Sequence, residues 1–282
     1  MSFKLLTEPY GNPKTAKGEA AGWSTAILHL APAGLAGRGS VCPWSTAGCR
    51  AACLNKAGRG GMFARGARTN AIQRARVRRT RAFFDNREGF LRDLRGDVER
   101  HAARCARDGK RPAVRLNGTS DIAWESVAPE IFAGFPGVTF YDYTKSEARM
   151  SAMLAMRDWH KRYTGPDWKA NVIGRTVPRH WPANYDLTFS WSGENAKECA
   201  TVLAHGGRVA VAFDRVPVGR RFSPFWGDGS PMLSPLATRL GWPVVDGDAS
   251  DLRFLEPGGI IVGLRAKGPA KKDRTGFVVR VS

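Results

Sequence analysis

From residue 111 onward, short runs of β-branched and aromatic residues alternate with segments of helical or loop character. These runs predict strands at residues 113–116, 138–143, 187–191, 208–213, 243–245, 259–264 and 276–281. Helical periodicity over residues 147–163 and 196–205 separates several of them. Strand–helix alternation is typical of an α/β protein with a mostly parallel sheet, which we expect to form a complete or partial (β/α) barrel.

The first 110 residues have a different pattern. One strand is predicted at residues 25–30, and residues 65–108 are rich in Ala, Arg and Leu with few helix breakers. Gly89 and Gly96 interrupt this stretch and predict two helices rather than one. The expected core contacts within it are Phe83, Phe84, Phe90, Leu91 and Leu94. We expect a single α/β domain over residues 1–282, with a helical N-terminal part (1–110) and a strand-rich catalytic part (111–282).

Polar side chains follow the predicted strands, where the ligand sites of parallel α/β proteins lie. The candidate catalytic carboxylates are Asp121, Asp246, Asp248 and Asp251. The candidate substrate-binding residues at the strand ends are Asn117, Asp142, Lys145, Trp191, Asn195 and Lys267. Any one of these residues alone could be a helix cap or a turn former. Polar groups at six strand ends together favour an active site.

The chain carries a formal net charge of +19, and the excess is concentrated in one segment. No acidic residue lies between Glu19 and Asp85, whereas Lys and Arg occur eleven times there. A solvated helix face, a membrane surface and an acidic protein are alternative explanations. An uncompensated arginine cluster favours phosphate contacts, and therefore a nucleic acid, which we expect to be DNA. The candidate phosphate-binding residues are Arg59, Arg65, Arg68, Arg76 and Arg79.

Two further features bear on the cellular setting. No apolar run is long enough to span a membrane, and the N-terminus lacks the apolar stretch of a secretory signal. The cysteines number five, and this odd count favours a reducing compartment over a disulfide framework. We therefore expect a cytoplasmic protein without membrane association.

Three of the cysteines, Cys42, Cys49 and Cys53, have the spacing C-x6-C-x3-C. A helix over residues 49–54 would place Cys49 and Cys53 on one face, and Cys42 could fold back over them. Three thiolates in this arrangement suit either zinc with a fourth ligand or a [4Fe-4S] cluster with one open iron. Three buried core cysteines are the alternative. The nearby arginines are expected to lower the pKa values of the thiols.

Several blocks of the sequence form a recognisable set. They are the cysteine segment at 41–60, RLNGTSD at 115–121, FYDYTK at 140–145, DGDASDLRF at 246–254 and GLRAKG at 263–268. This set resembles an uncharacterised bacteriophage family and, more distantly, is similar to the phage gene product 88 proteins. The resemblance implies a phage or prophage origin and the cytoplasm of an infected or lysogenic bacterial host. It carries over no catalytic residues.

The favoured function is that of a DNA base-modifying transferase. Asp121 would act together with Asp246, Asp248 or Asp251 to exchange a nucleobase at the glycosidic bond. Trp124 or Trp191 would stack the flipped base. By analogy only, queuine-type transglycosylases combine a barrel, paired aspartates and zinc, although their zinc cysteines lie late in the chain.

Three alternatives stay open. Radical S-adenosylmethionine enzymes combine three cluster cysteines with a partial barrel, so an iron–sulfur enzyme that uses S-adenosylmethionine is the second hypothesis, although the usual spacing there is C-x3-C-x2-C. A DNA-binding accessory protein with structural zinc and no catalysis is the third. A nuclease that binds Mg²⁺ through Asp246, Asp248 and Asp251 is the fourth.

Overall fold

The structure, a computed structural model, describes residues 4–9, 13–163, 181–222 and 241–281. Within these ranges the chain forms ten β-strands and eight α-helices. The strands are β1 (Leu6–Thr7), β2 (Trp23–Leu28), β3 (Arg111–Arg115), β4 (Thr139–Thr144), β5 (Tyr185–Ser190), β6 (Arg208–Phe213), β7 (Arg221–Phe222), β8 (Trp242–Asp246), β9 (Ile260–Arg265) and β10 (Val278–Val279). The helices are α1 (Pro13–Gly18), α2 (Ala47–Ala51), α3 (Ala71–Asp85), α4 (Arg87–Arg107), α5 (Trp124–Val127), α6 (Pro129–Gly134), α7 (Glu147–Tyr163) and α8 (Ala196–Ala204).

The strands form one mostly parallel sheet in the order β1-β2-β3-β4-β5-β6-β9-β8-β7. Strands β2 to β6, together with β9 and β8, are parallel, whereas β1 and β7 pair antiparallel to their neighbours at the two edges. Strand β10 pairs in parallel with Ala212 and Phe213 of β6, beyond the residues of β6 that pair with β5. The predicted α/β class and parallel sheet are therefore confirmed. The predicted barrel is not confirmed, because no strand pairing in the described ranges closes the sheet.

The sheet has two differently covered faces, because side chains alternate along each strand. Val114 of β3 and Phe140 of β4 face the main apolar core, together with Leu94 of α4. Tyr141 of β4 faces the other side, where it packs near Leu252 from the connection between β8 and β9. We refer to these as the helical face and the connection face. Both are buried, as expected for a parallel sheet.

The stretch predicted to contain two helices does contain two, but they meet at a different residue. Helix α3 ends at Asp85 and α4 begins at Arg87, so that Gly89 and Gly96 lie inside α4. The Asn86 side chain accepts a hydrogen bond from the backbone N–H of Gly89 at 2.9 Å, which caps α4. A Cβ at position 89 would lie 2.5 Å from the Asn86 amide, so glycine permits this cap.

The predicted core contacts of these helices are confirmed. Phe83, Phe90 and Leu94 are buried, and Phe84 and Leu91 pack against them while partly exposed. Among the described residues, no helix is both long enough and apolar enough to cross a membrane.

Candidate functional site

The cysteine segment follows β2 and lies across the carboxyl ends of the neighbouring strands. The backbone N–H of Asp121, beyond β3, donates to the carbonyl of Val41 at 2.8 Å. The Thr46 hydroxyl donates to the carbonyl of Ser192, beyond β5, at 3.0 Å. A Cβ at Gly48 would lie 2.5 Å from the Thr275 hydroxyl, so the segment also contacts the chain just before β10. The structure thus brings the cysteine segment and the polar strand ends, which are predicted separately, together at one edge of the sheet.

The local structure around the cysteines differs from the predicted helix. Helix α2 begins after Thr46, whose hydroxyl accepts from the N–H of Cys49, and it ends at Ala51. Cys53 lies beyond the helix and caps a 3₁₀ turn, Leu54–Lys56. A helix through residue 54 is therefore wrong, because the chain turns at position 52. Cys49 and Cys53 are nevertheless close enough to Cys42 to affect its ionisation.

Two of the three sulfurs receive backbone hydrogen bonds. The N–H of Ala33 donates to Cys42 Sγ at 3.3 Å, and the N–H of Asn55 donates to Cys53 Sγ at 3.5 Å. All three thiols are free and partly exposed. In the described part of the chain, no three His, Cys, Asp or Glu side chains already form a metal-binding group.

The pKa values of the Cys42 and Cys53 thiols move against the predicted direction. Burial, together with the neighbouring Cys53, Asp121 and Cys49, raises the pKa of Cys42 to about 11, although the hydrogen bond from the N–H of Ala33 opposes this rise. Burial also raises the pKa of Cys53, although Lys145 and Arg76 oppose this rise. The expected lowering by arginines is therefore wrong, because loss of hydration outweighs the nearby positive charges.

The RLNGTSD block forms the turn that holds the cysteine segment. The Asn117 side-chain oxygen accepts hydrogen bonds from Ser120, Ile122 and Trp124 at 2.8, 2.9 and 3.2 Å. Its amide donates to the carbonyl of Ile122 at 2.9 Å. Asn117 is buried, so its polar atoms organise the turn rather than face a ligand.

Close packing fixes this turn against β2. A Cβ at Gly118 would lie 2.8 Å from the carbonyl oxygen of Leu28, a contact that only glycine avoids. The Thr119 hydroxyl donates to the carbonyl of Leu30, and the Cys42 thiol donates to the carbonyl of Thr119 at 3.7 Å. The position of Cys42 therefore depends directly on this turn.

Two buried carboxylates lie beneath the turn. Asp121 accepts from the N–H of Lys145 at 2.9 Å and pairs with Arg149 of α7 at 2.9 Å. Asp142 accepts from the N–H of Asn117 at 2.8 Å and from the Tyr185 hydroxyl at 2.9 Å. Burial raises the pKa of Asp142 to about 7. Both carboxylates join the strand ends to the helical face.

The other predicted strand-end residues have different surroundings. The Trp191 indole donates to the carbonyl of Gly276 at 3.1 Å and is buried, as is Trp124, so neither presents a free face for a base. Asn195 bonds to the N–H of Ser192 and the carbonyl of Ser190. Lys145 is partly exposed, and its ammonium lies 5.9 Å from the centre of the Phe277 ring.

The remaining candidate carboxylates lie away from Asp121. Asp251 pairs with Arg115 at 2.9 Å and accepts from the Tyr141 hydroxyl at 3.2 Å, which places it on the connection face. Asp246 is exposed at the end of β8, and Asp248 pairs with the exposed Lys267 at 2.8 Å. The structure therefore does not bring Asp121 together with these three carboxylates.

The predicted phosphate-binding arginines fall into two groups. Arg59, Arg65 and Arg68 are exposed. Arg76 is buried and donates to the side chain and carbonyl of Asn55 at 2.6 and 3.1 Å. Arg79 donates to the carbonyl of Lys4 from its Nε and Nη2 atoms. The first group is available to a ligand, whereas the second stabilises the fold.

Sequence reasoning missed the buried arginines that neutralise the carboxylates. Arg149 and Arg253 are buried, and the side chain of Arg115 is 12% exposed. Arg253 donates to the carbonyl of Gly247 at 3.0 Å while pairing with Glu256. Arg115 and Arg253 lie within the blocks RLNGTSD and DGDASDLRF described above. Their position in these blocks is the one feature of the sequence that could have pointed to them. Arg149 comes from a helix whose periodicity gives no sign of its partners.

Comparisons with known proteins give one result. A family model described as Gene product 88 matches residues 4–281. No curated protein and no solved structure matches the chain significantly.

Proposed function

The chain belongs to the Gene product 88 family. We propose that this member is an enzyme that acts on nucleic acid, and that Cys42, Cys49 and Cys53 hold its metal centre. One observation carries the proposal: the three thiols lie over the carboxyl ends of parallel strands, beside the partly exposed Lys145. Ligands of open α/β sheets bind at this edge.

The chemical type of the donors, rather than their arrangement, suits a metal that prefers sulfur. Three thiols within twelve residues provide soft ligands, and the N–H groups of Ala33 and Asn55 stabilise sulfur in its negatively charged, ligating form. Three protein ligands leave one position for a substrate, as in catalytic zinc sites and in clusters with an open iron. A zinc ion bound here would supply a Lewis acid, and an iron–sulfur cluster would supply electrons.

Residues of the chain support this centre without touching it. The ion pair between Asp121 and Arg149 fixes the turn that carries the hydrogen bond to Cys42. The Lys145 ammonium adds positive charge beside Cys53, which favours both the thiolate and an anionic substrate.

Base exchange by two carboxylates receives less support from this geometry. That reaction needs two carboxyl groups facing one sugar, with one free to act as a nucleophile. Asp121 and Asp251 lie on opposite faces of the sheet, and each forms an ion pair with an arginine that is no more than 12% exposed. The cysteine-centred reaction is therefore the better proposal.

Nucleic acid is the proposed substrate because the exposed arginines continue from the cysteine segment. Asn55 follows Cys53 by two residues and donates from its side chain to Gln73 of α3 at 2.9 Å. This contact links the cysteines to the segment that carries Arg59, Arg65 and Arg68. A phosphate backbone bound by these arginines would lie near the strand ends.

Metal analysis of protein purified without oxygen tests the proposal. The wild type is compared with a Cys42→Ala, Cys49→Ala, Cys53→Ala variant by metal and sulfide content and by absorption spectrum. We expect about one zinc or about four irons per chain in the wild type and none in the variant. A Cys105→Ala, Cys199→Ala variant is the matched control and should retain the metal. Protein without stoichiometric metal, or a triple variant that retains it, would refute the proposal.

A zinc-stabilised DNA-binding protein without catalysis is the second candidate. It is favoured by the bonds that Asn55 makes to Gln73 and Arg76, because a metal at the adjacent cysteines would also order the basic segment. Cobalt substitution separates the two functions. An open coordination position lets added cyanide or azide change the cobalt spectrum, whereas a closed four-ligand site leaves it unchanged.

A further inference from the structure

The segment between the cysteines and α3 presents apolar and cationic side chains to solvent together. Met62 is 70% exposed and Phe63 is 43% exposed. Arg59, Arg65 and Arg68 lie on either side of them and are also exposed. We refer to residues 59–68 as the display loop. A merely solvated basic surface gives no reason for a large apolar pair at its centre.

Hydrogen bonds hold the backbone of the display loop in place. The Asn70 amide donates to the carbonyls of Arg59, Gly60 and Met62 at 3.2, 3.3 and 2.7 Å. The Gln73 amide also donates to the carbonyl of Gly60, at 2.8 Å. With the first part of the loop fixed in this way, the exposure of Met62 and the adjacent Phe63 is a property of the fold.

The charge around the loop is uncompensated. No acidic residue occurs between Glu19 and Asp85, and Asp85 itself pairs with Arg38 at 2.9 Å. In the described ranges, Arg59, Arg65 and Arg68 form no ion pair. Guanidinium groups bind phosphate oxygens in pairs of hydrogen bonds, so arginine rather than lysine at these positions favours phosphate as the group that the loop binds.

The apolar pair indicates what kind of phosphate chain would fit. Bases in a duplex are stacked on each other and present only their edges, whereas an unpaired strand exposes base faces to aromatic side chains. We infer that the display loop binds single-stranded nucleic acid, with Phe63 stacked on a base and Arg59, Arg65 and Arg68 on the phosphates. This inference rests on the proposed function in taking nucleic acid as the substrate.

Fluorescence anisotropy with one labelled 20-nucleotide strand, free and annealed to its complement, tests the inference. We expect tighter binding of the single strand. Phe63→Ala should weaken it by about 5- to 150-fold, the range for loss of one stacked base, and should change duplex binding little. Leu255→Ala, which removes a side chain 54% exposed elsewhere, is the matched control and should bind as the wild type.

The arginines are tested in the same assay. Arg65→Ala with Arg68→Ala should weaken single-strand binding and reduce the slope of log affinity against log salt by about 1.4, or about 0.7 per phosphate contact. Arg92→Ala with Arg107→Ala removes the same charge from exposed positions on α4 and should leave the slope unchanged. Unchanged melting temperatures would show that all four variants fold.

Three outcomes would overturn the inference: equal or tighter duplex binding, an unchanged affinity of Phe63→Ala, or binding to vesicles of anionic lipid without binding to the strand. The metal content of the wild type, measured beside its single-strand binding, separates this failure from failure of the proposed function. Metal-free wild type with normal single-strand binding would refute only the metal centre. Metal-loaded protein without a single-strand preference would refute only the display loop.

Discussion

Arg149 is the residue whose replacement tests the structure beneath the cysteines most directly. Its guanidinium pairs with Asp121 at 2.9 Å and with both oxygens of Glu125 at 2.7 and 2.8 Å, and it donates to the Tyr185 hydroxyl at 3.0 Å. The side chain is only 5% exposed, and those of its two acidic partners are about one-tenth exposed. Arg149→Met keeps the length of the side chain and removes its charge.

The expected loss in free energy of unfolding is about 3–5 kcal/mol, the cost of leaving a buried charge without its partner. Replacing the acidic partners as well, in Arg149→Met, Asp121→Asn, Glu125→Gln, should recover most of this loss. Arg149→Met should also be less damaging at pH 5 than at pH 8. Burial raises the pKa of the Asp121 carboxyl and Arg149 opposes this rise. Loss of the guanidinium therefore leaves this pKa further above its unfolded value, so stability falls as pH rises.

Urea unfolding followed by tryptophan fluorescence at both pH values measures these differences. Arg92→Met is the control, because Arg92 forms an exposed pair with Glu88 that should contribute less than about 0.5 kcal/mol. A loss below about 1 kcal/mol in Arg149→Met, or no recovery in the triple variant, would refute the assigned role of Arg149.

Two further predictions concern the strand ends. Burial raises the pKa of the Asp142 carboxyl to about 7, above the unfolded value near 4. Raising the pH from 4 to 7 should therefore destabilise the wild type relative to Asp142→Asn by a few kcal/mol. A stability difference between the two proteins that is independent of pH would contradict this. Gly118→Ala should cost about 1–3 kcal/mol and lower the metal content, because its Cβ would lie 2.8 Å from a backbone oxygen of β2. Gly137→Ala, with open space around its Cβ, is the control in urea unfolding and metal analysis, and equal behaviour of the two variants would count against the packing role of Gly118.

Local pattern was sufficient for most elements of secondary structure. The strand predicted at 208–213 and the helix predicted at 147–163 have the observed bounds, Arg208–Phe213 and Glu147–Tyr163. A buried strand and a long helix each repeat one local pattern, and that pattern is visible in sequence. The glycines do not mark the junction between α3 and α4, because Asn86 separates the two helices: its backbone N–H donates to the carbonyl of Ala82 at the end of α3, and its side chain caps the start of α4.

The partners of the strand-end residues were beyond local pattern. Asp142 bonds to Tyr185 across 43 positions, and Asp251 pairs with Arg115 across 136. A carboxylate in a catalytic pair and a carboxylate neutralised by a distant arginine have the same appearance in sequence. Sequence reasoning could therefore predict the polar edge of the sheet, but not which of its side chains are bonded to other parts of the protein and which can contact a ligand.

The sequence by itself determined the family, the alternation of strands and helices, the cysteine spacing and the unbalanced positive charge, because each depends on residue identity and short-range periodicity. Only the tertiary structure decided that the cysteine segment lies across the strand ends. It alone separated Asp121 from Asp251 by a sheet, and the exposed Arg59 from the buried Arg76. These outcomes depend on contacts between segments far apart in the chain, where burial and charge pairing select one partner among many.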